Sequence, residues 1–147
     1  YRQPDVYPGH DATAWSYYAS SGNKYNNGGS SYGDSWTVND IIGVAFDADT
    51  RTLWFSKNGV WQNSATIAEI AAGTTTNAAW TNMGTAGNFF FPCMSAYDGN
   101  KAEFNFGNGY FSTTAITSEG TNASGVGKFE YDVPNNFTAL STKGLNI

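Results

Sequence analysis

The sequence predicts an all-β protein of antiparallel strands, and two features of its composition carry that prediction. Of 147 residues, 62 are glycine, serine, threonine or asparagine, whereas leucine appears three times. Aromatic residues make up 16% of the chain and charged residues 13%, about half the usual share of charge. A helical bundle or coiled coil needs long periodic runs of Leu, Ala, Glu and Lys, which are absent. A disordered chain would carry fewer aromatics and more charge. Aromatic and β-branched strands joined by Gly- and Asn-rich turns fit what remains. The length suits one domain, residues 1–147, able to bury a core without a metal or a disulfide.

Taken in order, residues 1–36 predict short strands near 14–19 inside long polar loops, including the Asn26-Asn27-Gly28-Gly29-Ser30 stretch. Residues 40–47 form a mostly apolar β-rich run. Asp47-Ala48-Asp49-Thr50 is turn chemistry, because Asp side chains bond nearby backbone amides. Residues 52–57 return as a second strand. Asn58-Gly59 offers a type I′ turn, and Val60-Trp61-Gln62 begins a third strand. Residues 63–88 are a long connection, with one or two helical turns over 65–71.

Residues 89–97 predict a further strand, with Pro92 marking an edge or a bulge. Asp98-Gly99-Asn100 turns the chain. Residues 101–106 alternate strictly, placing Ala102, Phe104 and Phe106 on one face. Asn108-Gly109 closes that strand, and 112–127 read as loop. Residues 128–133 alternate again, and 137–140 suggest a last short strand. Cys93, in the apolar run Phe89-Phe90-Phe91-Pro92-Cys93-Met94, is expected to be a small buried hydrophobe. Trp36, Trp54, Phe46, Phe55, Phe90, Phe104 and Phe106 are expected in the core.

Net charge is −5, with seven basic residues scattered singly. No basic stripe is present to neutralise phosphates, so nucleic acid is not an expected partner. No run of 18 apolar residues argues for membrane insertion, and no signal-peptide pattern opens the chain.

The order of these pieces resembles the SPRY domain, from Trp15 to Phe111. Trp15-Ser16-Tyr17-Tyr18 with Lys24-Tyr25-Asn26-Asn27-Gly28 is similar to the family's Trp/Tyr strand and its loop. Gly33-Asp34 and Ile42-Gly43 resemble its "GD-x-IG" pattern, here with extra residues between. Asp47 through Phe55-Ser56-Lys57-Asn58-Gly59 closely resembles its "F-S-x-N-G" hairpin. Phe91-Pro92-Cys93-Met94-Ser95 and Asn105-Phe106-Gly107 resemble its "YPAVS" and "NFG" strands. The resemblance implies an antiparallel β-sandwich of concanavalin-like jelly-roll type. It also implies that the family's earlier strands, with their "YWEV"-like motif, are missing. A fragment, or strands supplied by a partner chain, is therefore expected. The tail, Gly127–Pro134 and then Phe137-Thr138-Ala139-Leu140 to Leu145, is similar to the closing segment (residues 128–147) of SPRY modules in bacteriophage structural proteins.

No catalytic constellation emerges. His10 is the only histidine and has no second ligand of its kind. Ser35 lacks the strand–turn–helix context of a hydrolase nucleophile. Asp47 and Asp49, with Asp40, have a spacing that fits a turn as readily as a calcium loop, and no Gly or bidentate Glu completes one. Asn122-Ala123-Ser124 and Asn136-Phe137-Thr138 match glycosylation acceptors but carry little weight in a chain this rich in Asn, Ser and Thr. No cofactor or metal is expected. Tyr7, Tyr17, Tyr25, Trp61 and Tyr97 lie in or near loops, and such side chains suit protein or sugar recognition. The resemblance implies a non-enzymatic binding or structural module of a virion protein. Its expected partners are a protein or surface glycan, other virion subunits, or a second copy of itself. The alternative is a cellular, cytoplasmic SPRY adaptor that binds short peptides.

Overall fold

The structure is a computed structural model, described over residues 7–96 and 99–141. Strands β1 (Ser16–Tyr17), β2 (Asn23–Tyr25) and β3 (Gly29–Ser31) form one antiparallel sheet in that order. Strands β4 (Ile42–Asp47), β5 (Thr52–Lys57) and β6 (Val60–Trp61) form a second, followed by a short helix, α1 (Ile67–Ala71), the one helix among the described residues. A small ribbon, β7 (Tyr110–Phe111) with β8 (Thr114–Ala115), lies near the C-terminal end. Antiparallel sheets with almost no helix make this an all-β protein, as composition predicts.

The β4–β5–β6 meander is the frame. Its register runs from Ile42 opposite Lys57 to Asp47 opposite Thr52. The Asp47 carboxylate closes the first turn by accepting the Asp49 N–H at 2.9 Å and the Thr50 hydroxyl at 2.7 Å. Asn58 and Gly59 have φ of 48° and 81°, as a type I′ turn requires. The Asn58 side chain ties that turn down, accepting the Ile41 N–H at 2.8 Å and donating to Asp40 at 2.6 Å.

β5 is buried on both faces, and strand alternation splits its side chains between two clusters. Leu53 and Phe55 pack with Tyr17 of the first sheet, Tyr32, Ala79 and Met83, with Trp15, Trp36, Phe46 and Phe90 around them. This joins the two sheets into a sandwich. Trp54 points the other way, into Ala45, Ala65, Ile70 and Ala78, and its ring meets Phe137 edge-on at 6.2 Å. At 1% exposure, Trp54 removes roughly 150–250 Å² from water, on the order of 4–6 kcal/mol as an upper bound.

Helix α1 realises the helical turns expected over 65–71, and it starts with a capping box. Glu69 N–H donates to the Thr66 hydroxyl at 3.2 Å, and Thr66 N–H donates back to the Glu69 carboxylate at 2.8 Å. This short helix holds because Ile70 is buried against Trp54.

Several sequence expectations need correction. The Gly/Asn-rich stretch after Tyr25 is a hairpin rather than a plain loop: Asn27 and Gly28 have positive φ, and Tyr25 pairs with Gly29. The described part of the expected 89–97 strand, and residues 101–106, form no ladder with other described residues. Phe90 alone turns inward, onto Phe46 at 5.2 Å and Trp15 at 5.9 Å. Phe89 and Phe91 are 89% and 81% exposed, and Cys93 is exposed rather than buried. Phe104 and Phe106 are not core; they stack on each other at 5.5 Å on the surface. Residues 128–133 make one bridge, Lys128 to Asn108. Residues 137–140 form no strand, although Phe137 and Ala139 turn into the protein. A strand needs partner N–H and C=O groups, and alternation alone does not supply them. Tyr97, Asp98 and the end of the closing segment, 142–147, lie outside the described residues.

Candidate functional site

The four described aromatic candidates, Tyr7, Tyr17, Tyr25 and Trp61, do not form one site; Tyr97 lies outside the described residues. Tyr17 is turned into the core at 7% exposure, between Phe55 at 5.4 Å and Tyr32 at 5.6 Å. Its hydroxyl donates to the Asp34 carbonyl and lies 3.3 Å from the Gln62 side-chain oxygen. Burial, reinforced by the nearby Asp34 charge, pushes its phenol up to about 12. Tyr17 is therefore a packing residue, and strand alternation explains why. Trp15 and Tyr17 share the core-facing side of the strand, so Tyr18 faces out.

Tyr18 completes the grouping that does form. Its ring lies 5.4 Å from Tyr25 and 5.9 Å from Tyr7, and Tyr7 stands edge-on to Tyr25 at 5.7 Å. His10 adds a fourth ring, 5.6 Å from Tyr7. Tyr7 and Tyr18 are 39% and 42% exposed, and Tyr25 is half-buried beneath them. The hairpin turn brings the distant segments together: the Asn27 N–H is shared between the carbonyls of Gly9 at 3.0 Å and Asp11 at 3.1 Å. Gly9 is required there, because a Cβ would fall 2.3 Å from the Tyr25 carbonyl oxygen. Edge-to-face packing makes the patch a firm surface of apolar rings and polar tips.

Trp61 sits apart, half-buried against the Trp54 cluster. Among the remaining polar candidates, the Asp47 oxygens hold a turn and His10 packs on Tyr7, while Ser35 is exposed, its backbone carbonyl accepting from the Lys57 ammonium at 2.8 Å. Among the described residues, no group of three His, Cys, Asp or Glu side chains is placed to hold a metal.

With sandwich, hairpin and aromatic patch in place, comparison with known proteins defines the class. The SPRY domain family model matches residues 1–109, so this chain belongs to the SPRY domain family. It is 37% identical over 59 residues to the dual specificity protein kinase splA of Dictyostelium discoideum, covering 39% of this chain and 2% of that protein. It is 30% identical over 86 residues to the E3 ubiquitin-protein ligase RKP of Arabidopsis thaliana, covering 57% of this chain and 6% of that protein. The matched stretches are thus small parts of much longer relatives. SPRY domains are protein-binding modules.

Proposed function

We propose that this chain is a non-catalytic recognition module that holds a short polypeptide segment against the Tyr7, Tyr18 and Tyr25 patch, within a larger cellular protein. The observation that carries the reading is the patch itself: three tyrosines from two separate segments, packed ring on ring and partly open to solvent. Tyr side chains bury large area at little entropic cost, which makes them frequent anchors of binding energy. The family and the matched parts of the kinase and ligase support a module carried in a larger cellular protein, and so favour the adaptor reading. The setting we propose for it is cytoplasmic. The closing segment at 128–147, with its likeness to phage structural modules, favours a second reading, display on a virion surface.

Peptide display selected on the 147-residue chain, paired with a glycan array, tests the proposal. Selected peptides should bind wild type and lose about 30-fold affinity in Tyr18→Ala, the loss of one anchor of ~2 kcal/mol. Peptide binding indifferent to Tyr18→Ala and to Tyr7→Ala would remove the patch from the reading. Binding confined to glycans would overturn it in favour of a carbohydrate module. The full reading frame separates the cellular setting from the virion one.

A further inference from the structure

A second face carries different chemistry. The Asn58-Gly59 turn, the start of α1 and the segments 118–120 and 130–132 enclose an open groove of about 590 Å³, within the size range of ligand sites. No residue of the tyrosine patch lines it. Part of the lining is apolar: Val60 is 66% exposed, Ile67 is exposed, and Trp61 is half-buried. The charged part of the lining is acidic, with Glu119, Glu130 and Asp132 and no lysine or arginine.

The acids differ in how they are held. Glu119 is paired with the Lys128 ammonium at 3.0 Å. Glu130 and Asp132 are held by neutral donors. Glu130 accepts the Thr117 N–H at 2.7 Å together with the Thr117 hydroxyl, and Asp132 accepts the Thr121 N–H at 2.7 Å. Neutral donors orient a carboxylate without cancelling its charge. They also hold both carboxyls below the ordinary range, which keeps them ionised at neutral pH. The wall is set in advance: the Tyr131 ring lies on the turn at Gly59, where a Cβ would come within 2.7 Å of it. The Gly120 N–H donates to the Phe129 carbonyl at 2.9 Å, and the Val133 N–H donates to the Thr121 carbonyl at 2.8 Å, fastening one segment to the other.

We infer that this groove binds a short basic and apolar polypeptide segment, with Lys or Arg side chains on Glu130 and Asp132 and apolar side chains on Val60, Trp61 and Ile67. Charge complementarity decides among occupants. A second copy of this chain brings a net charge of −5 towards an acidic groove, and a nucleic acid brings phosphates. A basic segment gains from both halves of the lining.

The test titrates the 147-residue chain with a synthetic peptide alternating leucine and lysine, and with the same peptide carrying glutamate at each lysine. Calorimetry gives the affinity and amide NMR shifts give the location. The lysine peptide should bind at least about tenfold more tightly than the glutamate peptide, and weaken severalfold between 50 and 300 mM salt, as screened charges do. Its shifts should fall on residues 59–67 and 118–132. Asp132→Asn and Val60→Ser, which leave the Glu130–Thr117 bonds intact, should each weaken it about threefold or more. Tyr18→Ala should leave it unchanged, which separates this groove from the tyrosine patch. Equal binding of the two peptides, or shifts centred on Tyr7, Tyr18 and Tyr25, would overturn the inference. Self-association in sedimentation that Val60→Ser abolishes would overturn it too, and assign the groove to a second copy.

Discussion

Replacing Tyr32 with phenylalanine removes one hydroxyl that closes the core, where it accepts the Phe55 N–H and donates a longer bond, 3.5 Å, to the Phe55 carbonyl. Strand β6 ends at Trp61, and the Gln62 N–H still reaches the Phe55 carbonyl at 3.0 Å. The Phe55 N–H has instead the Tyr32 hydroxyl, which accepts it at 3.1 Å inside the protein. Tyr32→Phe keeps the ring on Tyr17 and Phe55 and strands that N–H. A buried donor left unpaired costs about 1–3 kcal/mol. At about 2 kcal/mol, Tm should fall by roughly 4–8 °C for a domain of this size, with an unchanged denaturant m-value. A second signature lies at high pH. Burial raises the Tyr32 phenol from 10.0 to about 12, so its neutral form belongs to the folded state. Its contribution is complete below pH 10 and is lost as pH rises towards 12, amounting to about 2 kcal/mol by pH 11.5. Tyr17, raised in the same direction, contributes its own share. Guanidinium midpoints measured from pH 7 to 11.5 should therefore fall less steeply in Tyr32→Phe than in wild type. Equal stability at pH 7 together with an identical alkaline decline would refute both the bond and the burial argument.

Three further outcomes follow from the same packing. Trp54→Ala should lose about 3–5 kcal/mol in chemical denaturation, because its buried ring is packed by Phe137 on one side and by the Ala45 cluster around it. A loss under 1 kcal/mol would mean that this cluster collapses freely. Gly59→Ala should cost about 1–2 kcal/mol from its φ of 81° alone, with a further cost from displacing the Tyr131 ring. Cys93 is exposed, so a thiol reagent should label it fully in the native protein without denaturant; labelling that tracks unfolding would place it inside.

The legible part of the fold is the part with local causes. In β4, β5 and β6, the Asp47 turn, the Asn58-Gly59 turn and the apolar strands all sit within a few residues of what they control. The hairpin of β2 and β3 has no apolar alternation: Asn23-Lys24-Tyr25 and Gly29-Ser30-Ser31 resemble loop in composition, and only the positive φ at Asn27 and Gly28 joins them. Residues 101–106 show the converse. Their alternation is strict and their apolar face is real, since Phe104 and Phe106 stack, yet no described segment supplies a ladder. Alternation reports which face is apolar; pairing depends on what lies beside it. The same reasoning explains Cys93, whose apolar neighbours suggest burial that no described segment provides.

The candidate surfaces were less legible because each is made by a contact between distant segments. Tyr17 and Tyr18 are adjacent and chemically identical, and only the strand's inward face separates the packing residue from the exposed one. Trp15 on the same inward side is the signal that identifies Tyr18 from sequence. Tyr7 and Tyr25 carry no such signal, because the bonds from Asn27 to Gly9 and Asp11 bring them together. In the groove, Glu119 and Asp132 look like solitary loop charges until 117–121 lies against 129–133. Gly59 bridges the two kinds of cause. Its positive φ is the most local signal in the chain, and its missing side chain admits Tyr131 from 72 residues away. If both roles hold, Gly59→Ala should weaken the lysine peptide more than its stability loss alone explains, since the Tyr131 wall must move. Lower stability with unaltered peptide affinity would confine this glycine to the turn.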